Sequence, residues 1–122
     1  MIQNDMTLQE IMQERRFAIL GDTLKPSKYA AIIKDAMQNK GYTVYAVGKE
    51  LASLNDIEGE IDIIDLCINP IKGLQLIKEC KKSYRCILIQ PGADNEELLQ
   101  YLIANNIPHT HGCLLVGLKE LD

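Results

Sequence analysis

The stretch Phe17-Ala18-Ile19-Leu20-Gly21-Asp22-Thr23-Leu24-Lys25-Pro26 carries the strongest structural signal in the chain. Four consecutive apolar residues read as a strand buried on both faces, which is how strands of a parallel sheet look. The glycine ends the run and lets the backbone turn sharply. Proline suits the first turn of a helix, and the spacing predicts one from Pro26 to Lys40, closed by Gly41.

The same alternation continues outward. Thr43 to Val47, rich in β-branched and aromatic residues, is expected as a second strand, and Leu51 to Leu54 as a short helical turn. Ile61 to Ile68 reads as a third strand. Asn69 and Pro70 then cap and open a helix running to about Lys82. Cys86 to Ile89 is a fourth strand. Asp94 caps a helix to Asn105, and Ile107 to His111 is a polar fifth strand expected at an edge. Upstream, Thr7 and Glu10 have capping-box spacing for a short N-terminal helix, about residues 7–15. Strands alternating with helices imply parallel pairing with right-handed crossovers. The expected fold is a three-layer α/β, Rossmann-like single domain over residues 1–122, with a five-stranded parallel sheet and helices on both faces.

In such sheets the ligand crevice lies past the C-terminal strand ends, where the winding reverses. That points to four loops: Gly21 to Lys25, Gly48-Lys49, Asn69-Pro70 and Gln90 to Ala93. In the first, the start of the next helix offers free N–H groups to an anion such as a diphosphate. Thr23 can add a hydroxyl, and Lys25 and Lys28 positive charge. A dinucleotide fingerprint is incomplete: only its first glycine is present, and Val47-Gly48-Lys49-Glu50 puts glycine and lysine where a ribose-binding acid belongs. NAD or another nucleotide is therefore a minor alternative.

Composition narrows the classes further. Seventeen acidic against thirteen basic residues give a net charge of −4, which disfavours nucleic acid. No apolar run is long enough for a membrane span, and Met1 to Glu14 lacks the pattern of a signal peptide, so the cytoplasm is the expected compartment. Cys67, Cys80, Cys86 and Cys113 form no Cys-x-x-Cys pair and read as reduced, mostly buried thiols. No nucleophile–base–acid set can be assembled, so a catalyst is not the favoured reading.

Three segments resemble the small stand-alone CoA-binding proteins, a domain also similar to the N-terminal CoA-binding domain of succinyl-CoA ligase alpha subunits. They are Gly21-Asp22-Thr23-Leu24-Lys25-Pro26-Ser27-Lys28-Tyr29, Gly41-Tyr42-Thr43-Val44-Tyr45-Ala46-Val47, and Ile61-Asp62-Ile63-Ile64-Asp65-Leu66, followed by a late Cys113. The similarity runs from about Leu8 to Val116. The resemblance implies strand order 3-2-1-4-5 and coenzyme A as ligand, lying across the first-loop, second-strand and third-strand ends. Carried onto this chain with the loops above, the binding candidates are Gly21, Asp22, Thr23, Lys25, Pro26, Tyr29, Val47, Gly48, Lys49, Asn69, Pro70, Gln90, Gly92 and Cys113. Three positions depart from the family. Asp22 stands where a small residue is usual, Gly48-Lys49 replaces Asn-Pro, and Ile68 stands before Asn69-Pro70 where an arginine often precedes the proline.

Two function classes follow: a CoA or acyl-CoA binding protein without chemistry of its own, with a regulatory role and a homodimer as the expectation, or an interaction protein that kept the fold and lost the ligand. A third, minor reading is metal or redox chemistry. His109, His111 and Cys113 would share one face of an extended strand. Cys113 reads either as a small buried residue or as a thiol able to form a mixed disulfide with the CoA thiol. Asp62 and Asp65 read as structural, with Asp65 accepting hydrogen bonds from a loop or helix start; Tyr42 and Tyr45 read as packing residues.

Overall fold

The computed structural model describes residues 5–121. In chain order its elements are α1 (Leu8–Ile11), β1 (Arg16–Gly21), α2 (Tyr29–Asn39), β2 (Thr43–Gly48), a 3-10 turn (Leu54–Asp56), β3 (Ile63–Leu66), α3 (Pro70–Glu79), β4 (Cys86–Ile89), α4 (Glu96–Ala104), β5 (His109–His111) and α5 (Leu114–Glu120). All strand pairs are parallel, in the order β2-β1-β3-β4-β5. The α/β class, the five-stranded parallel sheet and the helices on both faces are as the sequence predicts.

The observed order is consistent with the expected 3-2-1-4-5, with β3 lying against β1 on the side away from β2, because a run buried at every position needs cover on both faces and both edges. The position outside β2 is held instead by one parallel bridge, Val47 to Leu51. There Leu51 N–H donates to Ala46 O, and Gly48 N–H to Leu51 O. The helical turn expected at Leu51 to Leu54 therefore begins three residues later, opened by a Ser53–Asp56 capping box.

Alternation within the strands splits the core in two. Ala18, Leu20, Ile64, Leu66, Ile87 and Ile89 pack under α3 and α4, against Leu74, Ile77, Leu98 and Leu102. Phe17, Ile19, Ile63, Cys86 and Leu88 pack under α1, α2 and α5, against Ile11, Ile33, Met37, Leu114 and Leu118. Tyr42 and Tyr45 are both partly buried against these clusters. Tyr42 meets Phe17 edge to face, 5.2 Å between centroids, and its hydroxyl donates to Met12 O.

Several boundaries shift for local reasons. The Thr7–Glu10 capping box forms, but α1 spans one turn only. α2 starts at Tyr29, not Pro26: Asp22 accepts from the N–H groups of Leu24 and Lys25, and Lys28 N–H closes on Lys25 O, so Pro26 lies in a separate turn. α3 keeps its Asn69 cap and Pro70 start but ends at Glu79. α4 is capped by Asn95, whose Oδ1 accepts from Leu98 N–H, while Asp94 turns to His111. β3 and β5 are shorter than expected, and β5 lies at the edge. Helix α5 has no counterpart in the sequence reading.

Candidate functional site

The winding places the site. From β1 the chain moves one way to β2, then crosses to β3 and continues to β5. The loops after β1 and β3 leave in opposite directions, and a crevice opens between them. Gly21 and Gly48 are register partners on its rim. Gly48 has φ +126°, and a Cβ on it would lie 3.1 Å from Gly21 O, so the two loops approach more closely than side chains would allow. Val47, just inside, is buried core, and Lys49 is exposed.

The first loop is largely satisfied by its own acids. Asp22 Oδ1 accepts from Leu24 N–H at 3.1 Å and Lys25 N–H at 3.4 Å. The Thr23 hydroxyl donates to Glu50, which also takes Lys34 Nζ at 2.9 Å. The Thr23 bond and then the Lys34 ammonium hold the Glu50 carboxyl below its ordinary range. Lys25 and Lys28 are exposed beside this loop. Lys28 is the N-cap of α2 and supplies no side-chain cap, whereas Asn69 caps α3 and Asn95 caps α4. The first-turn N–H groups of α2 thus lack a side-chain cap at this rim, as do those of α5 behind Cys113, a setting that favours an anion.

Deeper in the crevice is a cleft of about 340 Å3 between Tyr29, Cys67, Ile68, Asn69 and the Gln90–Ala93 turn. Asn69 Oδ1 is engaged by Lys72 N–H at 2.9 Å, and Pro70 sits in the first turn behind it. The Tyr29 hydroxyl and Cys113 Sγ share a hydrogen bond of 3.0 Å. That bond, with burial, pushes the Tyr29 phenol up to about 12. Burial does the same to the Cys67 thiol, also to about 12. Asp65 is wholly buried and takes Gln90 Nε2 at 2.5 Å, a side-chain donor from the first residue of the loop after β4, in keeping with the expected loop donor. Burial lifts the Asp65 carboxyl to about 7, with the Gln90 amide pulling the other way.

Two further hollows lie elsewhere on the surface of the described residues. A 500 Å3 groove runs between α2 and α5, and a 370 Å3 hollow lies at the opposite, N-terminal ends of the strands. In that hollow Asp62 accepts from the N–H groups of Arg15 and Arg16 and from Arg16 Nε. Burial raises the Asp62 carboxyl, but these donors outweigh it and hold it low. Asp62 therefore pins the start of β1 to β3, far from the crevice.

The proposed His109, His111 and Cys113 set does not assemble. His109 Nδ1 is bonded to Ile107 O at 2.9 Å, and His111 Nε2 to Asp94 at 2.8 Å. The chain turns at Gly112, so Cys113 caps α5 and faces Tyr29 instead. Among the described residues no three metal-ligating side chains converge.

Comparison with known proteins agrees with this fold. The family described as "CoA binding domain" matches residues 15–119. The chain belongs to that family. No curated protein matches it. Among solved structures, a conserved hypothetical protein from Pyrococcus furiosus is 25% identical with TM-score 0.74, over 84% of this chain and 98% of that one. A protein from Thermus thermophilus is 25% identical with TM-score 0.78, over 96% and 100%. A hypothetical protein from Pyrococcus horikoshii OT3, at 21% identity and TM-score 0.81 over 93% and 89%, shares the fold.

As a CoA-binding domain, the crevice has parts suited to the two halves of that molecule. The cleft is lined without a charged side chain, and the Oε1 atom of buried Gln90 has no partner among the described residues, so a neutral arm bearing amides and hydroxyls fits its chemistry. The uncapped start of α2, with exposed Lys25, Lys28 and Lys49 nearby, fits phosphates. Asp22 opposes them, since its carboxylate already occupies two loop donors. The sequence reading missed Cys67 and Ile68 in the cleft wall and Glu50 beneath the loop. Cys67 and Ile68 were legible only as the tail of a strand, and nothing in the sequence pairs Glu50 with Thr23.

Proposed function

We propose that this chain is a small cytoplasmic protein that binds coenzyme A or an acyl-CoA without catalysing its chemistry. The observation that carries the reading is the switch-point cleft itself: a neutral slot between Tyr29, Cys67 and Gln90, continuous in the fold with the uncapped N-terminus of α2. In this reading Tyr29, Asn69, Gln90 and Gly92 border the neutral arm. Gly21 and Gly48 let the backbone approach, and Lys25, Lys28 or Lys49 neutralise phosphate. The family match supports the ligand class. The high values of the Cys67 thiol and the Tyr29 phenol argue against a poised nucleophile at pH 7, which supports a binding rather than catalytic role.

The test is thermal unfolding with a panel of CoA, acetyl-CoA, NAD, NADP, ADP and FAD. A ligand at ~100 times its dissociation constant adds about 2.7 kcal/mol to stability. Stabilisation by the CoA compounds alone is the expected result. Asp22 on the loop donors favours a second reading, an interaction protein that no longer takes the ligand. That reading expects no response to any of the six, together with a stable dimer or partner in sedimentation.

A further inference from the structure

Asp65 and Gln90 lie side by side on neighbouring strands, at the floor of the crevice. Asp65 is register partner to Leu88, two residues before Gln90. Asp65 is fully buried and Gln90 is 2% exposed. Gln90 Nε2 donates to Asp65 Oδ1, while Asp65 Oδ2 and Gln90 Oε1 have no partner among the described residues. Gln90 also forms part of the cleft wall. Two unpaired acceptors this deep are costly, and each such pair in a folded protein calls for a physical reason.

The chemistry of the two groups supplies one. A primary amide donates at one end and accepts at the other; a carboxylate only accepts, and a carboxylic acid also donates. With Asp65 ionised, the amide must turn its NH2 to the carboxylate, as observed, and Oε1 is left without a partner in a residue that borders the cleft. With one proton added to Asp65, the acid O–H can donate to Oε1. That bond forms while Nε2 still donates to Oδ1, so the protonated acid and the amide close a two-bond ring and no acceptor is left over.

We propose that the Asp65–Gln90 pair is a proton-linked reader of the bound molecule: ionised Asp65 leaves Gln90 Oε1 to accept from a neutral N–H or O–H of the ligand, and uptake of one proton by Asp65 engages that acceptor. The ligand half rests on the reading of the crevice as the binding site. The titratable groups around Asp65 are few. Tyr29 from α2 and Cys67 after β3 both sense its charge, and Cys113 at the start of α5 stands beside them. β1 presents Ile19 and β4 presents Leu88, neither of which titrates. Tyr29 and Cys67 stay neutral at pH 7, and no cation contributes to Asp65.

Nuclear magnetic resonance of the labelled, ligand-free protein tests the switch between about pH 5.5 and about pH 8.5, the interval around the shifted carboxyl. The Asp65 carboxyl carbon and the Gln90 side-chain NH2 signals are expected to move together with one midpoint, and the Gln90 movement to vanish in Asp65→Asn. A Gln90 amide that stays fixed, or moves independently of Asp65, overturns the proposal, and the wild-type spectra alone suffice if the variant does not fold. Calorimetry with pantetheine, which has no phosphate to titrate, tests the ligand half. Wild-type affinity is expected to be about threefold to tenfold higher at the alkaline end, the worth of one neutral hydrogen bond, and flat in Gln90→Met. A flat or reversed wild-type profile, or no binding of pantetheine, overturns that half. A fixed amide in a protein that binds CoA sinks only this inference; a titrating amide in a protein that binds no CoA compound sinks only the proposed function.

Discussion

A Cβ placed on Gly21 would lie 2.5 Å from the carbonyl oxygen of Cys67 and 2.7 Å from Ala30 Cβ, so the end of β1 touches both the end of β3 and the first turn of α2 with nothing between. Both neighbours are fixed: Cys67 N–H is laddered to Leu20 O, and Ala30 is buried in the helix. Neither can swing aside as a flexible side chain would. Gly21→Ala is therefore expected to push the first and third loops apart. The loss should be about 1–3 kcal/mol, the usual cost of overpacking, read from urea unfolding. Weaker CoA binding should accompany it; unchanged stability would show that the contact relaxes freely.

Asp22 separates the two functional readings. Its carboxylate holds the Leu24 and Lys25 N–H groups in an exposed loop, where such bonds contribute little to folding. Asp22→Ser keeps a hydroxyl acceptor and removes the charge that repels phosphate. Stability is expected to change by less than about 0.5 kcal/mol, as at most surface sites. Affinity for CoA is expected to rise, and affinity for pantetheine, which lacks the phosphates, to stay the same. Equal effects on both would show that Asp22 does not face the phosphate end.

The Asn69 cap is a purely structural expectation. Its Oδ1 accepts from Lys72 N–H at 2.9 Å, with Pro70 already set for the first turn. Asn69→Ala should cost about 1 kcal/mol, the typical worth of such a cap, measured by chemical denaturation.

The parts of this molecule that were legible in the sequence are those fixed by local rules. Phe17 to Leu20 and Cys86 to Ile89 announce buried strands because every residue is apolar. Asn69-Pro70 announces a helix start because the two residues do separate jobs in it. Errors came where a side chain bonded outside its own segment. Asp22 captured the loop N–H groups and delayed α2 to Tyr29, and Asp94 turned to His111 and left the cap to Asn95. Helix α5 is masked in the sequence by the period-two spacing of His109, His111 and Cys113, which reads as a strand, although Leu114, Leu115 and Leu118 carry helical spacing. At the site, Gln90 could be named from its place after β4, but its bond to Asp65 depends on the register of two strands twenty residues apart in sequence, which only the folded sheet sets.

The same buried acid makes stability depend on pH with a definite sign. Asp65 holds its proton up to about 7 in the folded protein, against 3.8 for the ordinary carboxyl. Between those values the native state binds a proton that the unfolded chain has released, so the Asp65 contribution falls as pH rises and is lost once the folded value is passed. Asn at this position has no proton to lose. The stability of Asp65→Asn relative to wild type is therefore expected to climb by roughly 1.4 kcal/mol per pH unit between the two values and to level off above them. Paired urea titrations at about pH 4.5, about 6 and about 8 would follow this difference through the transition. A difference that stayed constant would mean that Asp65 titrates like an exposed carboxyl, with donors beyond Gln90 stabilising its charge. A difference that fell with rising pH would mean that the ionised form is the one the fold prefers.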